Sequence, residues 1–337
     1  MKLLIFFTVF LLAGLAYSAP ASEVATTDDD ILTITDEFFP NSLAVYTAEH
    51  DIVKILTPLN ALNFDEDEDD DDSEGDSDSI IFFVLADVNE KGEKVDQGLY
   101  YLKSGQATKL LDNGRDAAAA NDDSKTAYFA AKDGIYIYNA EKNTADKYGT
   151  VTDDLIGIAK VNGSDVLYVL TADNVVYKVT EEGTKKEVVE KVVKAKEIIL
   201  DYENNLYFYT NENIVYVLVG DEVKKIEGLP ANPGSIKIIN PPFVIENGVP
   251  VIVDNKSYIA YENGTAEFGE IEFVVKPTAY SMEATLIQYY GYNKKVYEYN
   301  ILNLILGELL TELKSFLDDK TDSIQSIATR SRSDLRA

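Results

Sequence analysis

The sequence predicts an all-β protein, and more specifically a β-propeller with six blades. A short phrase built around a tyrosine recurs along the chain, anchored at Tyr100, Tyr136, Tyr177, Tyr216, Tyr258 and Tyr297. The spacings between these tyrosines are 36, 41, 39, 42 and 39 residues, which is close to the period of a propeller blade. Asn, Asp or Gly residues separate the phrase from neighbouring apolar stretches, as is typical of antiparallel hairpins.

Three or four strands are predicted for each repeat. An apolar strand such as 155–160 comes first, a hairpin with the tyrosine phrase follows, and a charged strand such as 185–189 ends the unit. Apolar strands suit the centre of a ring, whereas Lys and Glu suit outer edges that must not pair with other chains. A β-sandwich is the alternative, because it also has short strands at regular spacing. It gives no reason, however, for one phrase to recur six times.

The number of repeats indicates six blades, with a seven-bladed ring as the alternative. A further copy of the phrase, Leu43-Ala-Val-Tyr46, lies 54 residues before Tyr100. Subtracting an acidic insertion of about 14 residues leaves the blade period. We expect the segment around Tyr46 to complete the last blade and close the ring. The predicted propeller covers residues 80–307, preceded by an N-terminal segment over residues 19–64.

Both ends of the chain lie outside the predicted propeller. A short basic start, the apolar run from Leu3 to Ala16 and a small residue at Ser18 predict a signal peptide over residues 1–18. The protein is therefore expected to be secreted and extracellular. Leucines at spacings of three and four predict a C-terminal amphipathic helix over residues 308–320, followed by a disordered tail over residues 321–337.

Three sequons agree with export. They begin at Asn162, Asn255 and Asn263, and each contains or adjoins turn residues. We therefore predict glycosylation at these three asparagines. The chain has no Cys, but its length allows a large core without disulfides.

The charge of the chain restricts its partners. A formal net charge of −29 argues against nucleic acid and against anionic membrane surfaces, since both are polyanions. Residues 65–78 contain 11 carboxylates, and such a block of like charges predicts a disordered acidic loop over residues 65–79. The protein is expected to be a monomer.

Most catalytic motifs are absent from the sequence, so we predict that the protein is not an enzyme. The sole His is His50, in a Glu-His-Asp turn, and no Gly-x-Ser-x-Gly or nucleotide-binding glycine motif occurs. Residues 70–78 resemble the start of an EF-hand loop, but its twelfth position is Ile81, where a bidentate Glu is needed. No catalytic residue, metal site or cofactor is predicted, apart from weak calcium binding by the many carboxylates.

Two phrases resemble a known family. Lys132-Asp-Gly-Ile-Tyr-Ile-Tyr-Asn139 and the stretch over residues 198–209 are similar to insect ommochrome-binding proteins, which are secreted haemolymph pigment carriers with propeller-like repeats. The resemblance covers residues 80–300. It implies non-covalent binding of an aromatic, acidic, tryptophan-derived pigment.

An aromatic acid needs a stacking surface and a cation. Arg115 is the only Arg before Arg330, and it precedes the small residues 117–120, which leave room in the central channel. Together with Lys160 and Tyr280, it forms the predicted ligand site.

Two functions from other classes stay open at this point. A calcium-dependent, lactonase-like propeller hydrolase would use clustered carboxylates in the channel. An acidic extracellular interaction protein would act through residues 65–78 and use the propeller as a scaffold. Propellers host all three functions, so the fold does not choose among them.

Overall fold

Six consecutive β-sheets make up the fold in the computed structural model, which describes residues 31–58, 80–90, 94–120, 126–242, 245 and 247–301. Each sheet is one blade. Apart from two N-terminal strands, the strands of a blade lie in chain order from the innermost to the outermost position. The predicted six-bladed β-propeller is therefore confirmed. The seven-bladed ring and the sandwich are wrong.

The N-terminal part of the described chain holds two short strands, β1 (Leu32–Ile34) and β2 (Ala44–Thr47). Two single turns of 3-10 helix, Asp36–Phe38 and Asn41–Leu43, lie between them. Both strands join blades that are otherwise built from the C-terminal part of the chain, as described below.

The first three blades have four strands each. Blade 1 contains β3 (Ile52–Leu56), β4 (Ile81–Val88), β5 (Lys94–Lys103) and β6 (Gln106–Leu111). Blade 2 contains β7 (Gly114–Ala119), β8 (Ala127–Ala131), β9 (Gly134–Asn139) and β10 (Thr144–Lys147). Blade 3 contains β11 (Leu155–Lys160), β12 (Leu167–Thr171), β13 (Val175–Thr180) and β14 (Lys185–Val193).

The remaining blades complete the ring. Blade 4 contains β15 (Ala195–Leu200), β16 (Leu206–Thr210), β17 (Val215–Val219) and β18 (Glu222–Lys225). Blade 5 contains β19 (Ile236–Ile238), β20 (Gly248–Val253), β21 (Lys256–Tyr261) and β22 (Ala266–Phe273). Blade 6 contains β23 (Ala279–Met282), β24 (Ile287–Tyr292) and β25 (Lys295–Asn300).

The N-terminal strands close the ring. β2 pairs with β25 in antiparallel orientation, with Tyr46 opposite Val296, and so becomes the outermost strand of blade 6. β1 extends blade 5 as a fifth strand, parallel to β22. The segment around Tyr46 therefore closes the ring, as expected, but it is an outermost strand and not a seventh copy of the repeat.

The propeller also begins earlier than residue 80. The innermost strand of blade 1 is β3, which ends at Leu56, and its partner β4 begins at Ile81. The acidic segment is thus inserted between two paired strands of the first blade. The sequence predicts a boundary at this segment because its charge interrupts the apolar pattern on both sides.

The repeated tyrosines all lie on the third strand of their blades. Two of the rings stack on second-strand residues: Tyr100 on Phe83 at 5.3 Å and Tyr216 on Phe208 at 5.4 Å. The buried apolar clusters combine residues of adjacent blades. Each blade is therefore stabilised by packing against its neighbours, as in other repeat architectures.

Several predicted segments lie outside the described residues: the signal peptide over residues 1–18, the acidic loop over residues 65–79, the C-terminal helix over residues 308–320 and the tail over residues 321–337. Among the residues that are described, no helix has the length and apolar content needed to cross a membrane.

Candidate functional site

A small cavity lies on the propeller axis, where the innermost strands of the blades end. All six blades contribute to its wall, which includes Thr57 after β3, residues 117–119 of β7 and Met282 at the end of β23. The cavity leaves about 70 Å³ for the centres of water molecules. The small side chains at residues 117–119 provide part of this space, as the sequence predicted.

The wall of the cavity has an unusual charge for this protein. Lys54 and Lys160 line it, and none of the described wall residues is Asp or Glu. The uncharged polar groups come from Thr57, Tyr202, Asn240 and Ser281. A chain with a net charge of −29 thus lines the cavity with two lysines and no acidic residue, which favours an anionic ligand. One of the two lysines, Lys54, also pairs with Asp116 at 2.9 Å.

Lys160 is held firmly at the cavity wall. Its side chain is buried, with 7% of the residue exposed, and its Nζ donates hydrogen bonds to the carbonyl oxygens of Val161, at 2.6 Å, and Ser164. The ammonium also lies 6.0 Å from the centre of the Tyr128 ring. These contacts fix the position of the ammonium at the cavity wall.

Two hydroxyl groups join the first and last blades at the cavity. The Thr57 amide donates to Oγ of Ser281 at 2.9 Å, and the two side-chain oxygens lie 2.6 Å apart. Both residues are buried. The contact therefore adds a polar interaction between blade 1 and blade 6, where the ring closes.

A ring of structurally equivalent residues surrounds the axis next to the cavity. The same register defines one residue in every blade. The repeated tyrosine pairs with a residue of the second strand, and the next residue of that second strand pairs with a residue of the innermost strand. In order from blade 1 to blade 6, these residues are Lys54, Asp116, Gly157, Glu197, Lys237 and Ala279. We call this set the charged ring.

The order of the charges makes the ring electrically balanced. In a six-bladed propeller, blade 1 faces blade 4 across the axis and blade 2 faces blade 5. Lys54 therefore lies opposite Glu197, and Asp116 lies opposite Lys237. The two remaining positions, Gly157 and Ala279, also face each other, so the four long side chains have space around the axis.

Ring side chains contact the next blade. Lys54 Nζ lies 2.9 Å from Oδ1 of Asp116, and Asp116 Oδ2 accepts the Ile158 amide at 3.0 Å. Glu197 Oε2 accepts the Ile238 amide at 3.2 Å. In both cases the amide belongs to the residue directly after the ring position, so the two carboxylates play the same part in their blades.

Enclosure by the surrounding strands changes the acid–base behaviour of two ring residues. Burial lowers the pKa of Lys237 to about 8, although the nearby Glu197 carboxylate opposes this effect. Burial also raises the pKa of Glu197, against the attraction of Lys237. The Lys237 ammonium donates a hydrogen bond to the carbonyl oxygen of Thr278 in blade 6.

The three predicted ligand residues do not meet at one place. Lys160 lies on the cavity wall, whereas Arg115 and Tyr280 are not among the described wall residues. Arg115 Nε donates to Asp96 Oδ2 at 2.8 Å and its Nη1 donates to the Asp154 carboxylate. Because Asp96 belongs to blade 1 and Asp154 precedes blade 3, Arg115 ties three blades together.

Tyr280 packs beside the cavity without lining it. Its ring lies 5.0 Å from that of Tyr290, and its hydroxyl donates to Sδ of Met282 at 3.6 Å. Burial raises the pKa of its phenol. Met282 does line the cavity, so Tyr280 supports a wall residue.

His50, the sole His, is half-buried and paired with a carboxylate. Its Nδ1 lies 2.6 Å from Oδ2 of Asp87, and the same oxygen accepts Nε2 of Gln97 at 3.0 Å. Across the described parts of the chain, no group of three or more His, Asp and Glu side chains has an arrangement that could hold a metal ion.

The sequons occupy different environments. Asn255 and Asn263 are exposed on hairpin turns, and Oδ1 of Asn263 accepts the Thr265 hydroxyl at 2.7 Å. Asn162 is half-buried, and its Nδ2 donates to the carbonyl oxygen of Tyr202 at 3.1 Å. A glycan at Asn162 would have to replace this contact between blades.

Sequence reasoning missed all four charged members of the ring. In two blades the available signal was a single charged residue inside an otherwise apolar innermost strand, Lys54 in β3 and Lys237 in β19. In β7 the sequence predicts Arg115 as the ligand residue, whereas the ring residue is its neighbour Asp116.

Comparisons with known proteins reveal only distant similarity. No family model matches the chain, and no curated protein matches it. Among solved structures, PorZ of Porphyromonas gingivalis has a TM-score of 0.46 at 10% identity, over 76% of this chain and 38% of that one. The chain thus spans well under half of that protein's length.

Two shorter proteins are matched over nearly their whole length. The structure of U3-55K has a TM-score of 0.47 at 9% identity, over 76% of this chain and 97% of that one. YCF48 from Cyanidioschyzon merolae has a TM-score of 0.45 at 8% identity, with 75% and 96% covered. Similarity at this level concerns the fold alone.

Proposed function

We propose that the protein is a secreted carrier that binds a small organic acid non-covalently in the axial cavity. The observation that carries this proposal is the charge of the wall, on which Lys54 and Lys160 are the charged residues. Charge-assisted hydrogen bonds to an ammonium are stronger than those between neutral groups. An acid group entering the cavity would gain such bonds to the wall lysines.

The size of the cavity limits which part of a ligand enters it. A volume of about 70 Å³ is roughly half that of the ~150 Å³ cavity that holds benzene. We therefore assign the acid group to the cavity and the aromatic part of the ligand to its open end. An ommochrome-type pigment, which the sequence resemblance implies, is the specific ligand that we propose.

The carrier is favoured over the other two functions. A calcium-dependent hydrolase needs a cluster of carboxylates in the channel, and in the described residues the channel carboxylates Asp116 and Glu197 lie on blades separated by blade 3. The acidic segment that an interaction protein would use lies outside the described residues. The cavity is thus the feature that supports a specific function.

The first experiment is an absorption spectrum of the protein purified from its native secretion. A visible band that co-purifies with the protein and is released by denaturation would identify a bound pigment. A colourless protein that also fails to bind added ommochrome at micromolar concentration would contradict the pigment as ligand.

A charge-removing variant tests the site itself. Binding is followed by tyrosine fluorescence, because the chain has 22 Tyr and no Trp. Lys160→Gln should weaken binding of an acidic ligand roughly ten- to hundredfold, since a hydrogen bond to a charged group contributes about 1.5–3 kcal/mol. Lys178→Gln, on an exposed part of β13, is the matched control. Equal affinities of the two variants would contradict the cavity as the binding site.

A further inference from the structure

Three consecutive blades place polar side chains on the cavity wall. Lys160 is the last residue of β11 in blade 3. Tyr202 and Asn240 each stand two residues after the innermost strand of their blade, β15 in blade 4 and β19 in blade 5. We call these three residues the polar arc. Blade 2 faces blade 5 across the axis, and its part of the described wall consists of the alanines at residues 117–119.

The two wall lysines cannot satisfy an acid group by themselves. A carboxylate has about four acceptor sites, whereas an ammonium has three hydrogens. Two of the Lys160 hydrogens go to the carbonyl oxygens of Val161 and Ser164, so at most one is left for a ligand. The Lys54 ammonium lies 2.9 Å from the Asp116 carboxylate, which repels an anion that approaches it. An acid group in the cavity therefore needs further donors.

The hydroxyl pair between blades 1 and 6 supplies at most one of these donors. The side-chain oxygens of Thr57 and Ser281 are bonded to each other at 2.6 Å, so one of their two hydrogens is already used. The other polar side chains of the described wall are those of Tyr202 and Asn240. A phenol and a primary amide are both hydrogen-bond donors.

The Tyr202 side chain extends from blade 4 past the end of blade 5. Its phenol is close enough to that of Tyr280, in blade 6, to raise the pKa of Tyr280, although blade 5 lies between their blades. The innermost strand of blade 5, β19, has only three residues, and Asn240 and Pro241 continue the wall beyond it. The phenol and the Asn240 amide group therefore lie on adjacent parts of the wall. Burial raises the pKa of the Tyr202 phenol, so it stays a protonated donor.

We infer that Tyr202 and Asn240 are specificity-determining residues, which bind a carboxylate of the ligand together with Lys160. The phenol and the amide donate to the carboxylate oxygens, and the ammonium supplies the opposite charge. The alanines of blade 2, across the cavity, leave room for the carbon that bears the carboxylate. This inference rests on the proposed function and deepens it, from a preference for anions to a site for one chemical group.

Acetate and acetamide are the probes of the polar arc. Both are planar molecules of the same size, and they differ in charge and in one hydrogen-bonding group. They suit a cavity that is about half the volume of one that holds benzene. The native protein should bind acetate with a dissociation constant of about 1 mM. Acetamide should bind roughly ten- to hundredfold more weakly. Titration followed by ligand-observed NMR measures both constants.

Tyr202→Phe is the decisive variant, because it removes one hydroxyl group and keeps the ring. The preference for acetate over acetamide should fall roughly five- to tenfold, since the lost bond is stronger to a charged acceptor than to a neutral one. A purely structural role of Tyr202 would weaken both ligands equally and leave the preference unchanged. Tyr177→Phe, on β13 and outside the cavity wall, is the matched control. It should keep the native preference.

Asn240→Asp tests the second donor by adding a negative charge without changing the size of the side chain. It should weaken acetate binding more than about tenfold, through loss of the donor and repulsion, and acetamide binding much less. Asn247→Asp adds the same charge at an exposed residue and should bind acetate as the native protein does. Thermal unfolding shows that each variant is folded.

The outcomes separate this inference from the proposed function. If Lys160→Gln weakens acetate binding but Tyr202→Phe keeps the native preference, the polar arc is overturned and the carrier stands. If Asn240→Asp and Asn247→Asp bind acetate equally well, Asn240 does not lie at the acid group and the inference also fails. Absence of saturable acetate binding at about 100 mM would overturn both the polar arc and the cavity as an acid site.

Discussion

The carboxylate of Asp116 lies 2.9 Å from the ammonium of Lys54 and joins the first two blades beside the propeller axis. Its other oxygen accepts the Ile158 amide of blade 3 at 3.0 Å. A single side chain therefore connects three blades where their innermost strands have no further strand to pair with. The two charged side chains are only 19% and 13% exposed, so neither would be well solvated without the other.

Removing this carboxylate should destabilise the protein strongly. Asp116→Ala leaves the Lys54 ammonium without its partner and the Ile158 amide without an acceptor, and breaking a buried pair in this way costs about 3–5 kcal/mol. Urea unfolding followed by circular dichroism measures the loss. The control is Glu187→Ala, which breaks the pair with Lys185 on β14, where both side chains are at least half exposed. It should change the free energy of unfolding by less than about 1 kcal/mol. Similar losses in the two variants would contradict the role given to Asp116.

The hairpin between β8 and β9 needs a glycine at residue 134. Gly134 has a φ of +125°, and a Cβ atom there would lie 2.0 Å from the carbonyl oxygen of Val151. Gly134→Ala should therefore cost more than about 2 kcal/mol, from backbone strain and from the clash. Gly105 has a φ of +73° but no heavy atom within 4 Å of the added Cβ. Gly105→Ala should cost only about 1 kcal/mol. Equal thermal shifts would show that the clash is relieved without cost.

The arrangement of the blades could be predicted because a local signal repeats. The tyrosine phrase marks the third strand of every blade, and its hairpin turns are encoded by neighbouring Asn, Asp and Gly residues. Blade number then follows from counting. Closure by β2 was predictable as well, because one tyrosine phrase stood alone at the start of the chain.

The charged ring was not predictable in the same way, because β-bulges determine which residue faces the axis. In blades 1 to 4, the residue just before the ring position has no pairing partner on the second strand; in blade 2 this residue is Arg115. The bulge directs the Arg115 side chain to Asp96 and Asp154 and places Asp116 in the ring. A one-residue shift of register exchanges the faces of a strand, and the sequence does not mark where the shift occurs.

The N-terminal strands should be required for stability. Phe38 stacks on Tyr299 at 5.0 Å and Phe39 stacks on Tyr292 at 4.4 Å, while β2 covers the edge of β25. A chain that starts at residue 49 loses both rings and leaves the outer edge of β25 without a partner strand, while its other edge stays paired with β24. Burial of a Phe side chain contributes about 1.5–3 kcal/mol, so this truncation should lose several kcal/mol and promote association through the open edge.

A second truncation serves as the control for this prediction. A chain that starts at residue 31 keeps β1, β2 and both Phe residues. It should unfold at nearly the same urea concentration as the chain that starts at residue 19, and it should remain monomeric in size-exclusion chromatography. A chain starting at residue 49 that is equally stable and monomeric would show that blade 6 does not need its outermost strand.

Lys237 should make stability depend on pH in an uncommon direction. Its pKa in the folded protein is about 8, below the ordinary value of 10.5. Between these two values the unfolded chain binds a proton that the folded chain does not, so the contribution of Lys237 to stability rises with pH in this window. Below pH 8 the lysine is charged in both states, and the folded protein bears the cost of burying the charge. The charged groups that act on it are Glu197, which raises its pKa, and Lys54 and Lys94, which lower it.

Urea unfolding of the native protein and of Lys237→Met at several pH values tests this expectation. The free energy of unfolding of the native protein minus that of the variant should increase between pH 7 and pH 10.5, by up to about 3 kcal/mol. Titration of the buried tyrosines affects both proteins and cancels in the difference. Lys256→Met is the control. The hydrogen bond to Glu272 raises the pKa of this exposed lysine. The free energy of unfolding of the native protein minus that of Lys256→Met should therefore fall as the pH rises above 10.5. A flat or falling difference for Lys237→Met would mean that the Lys237 ammonium is well solvated in the channel.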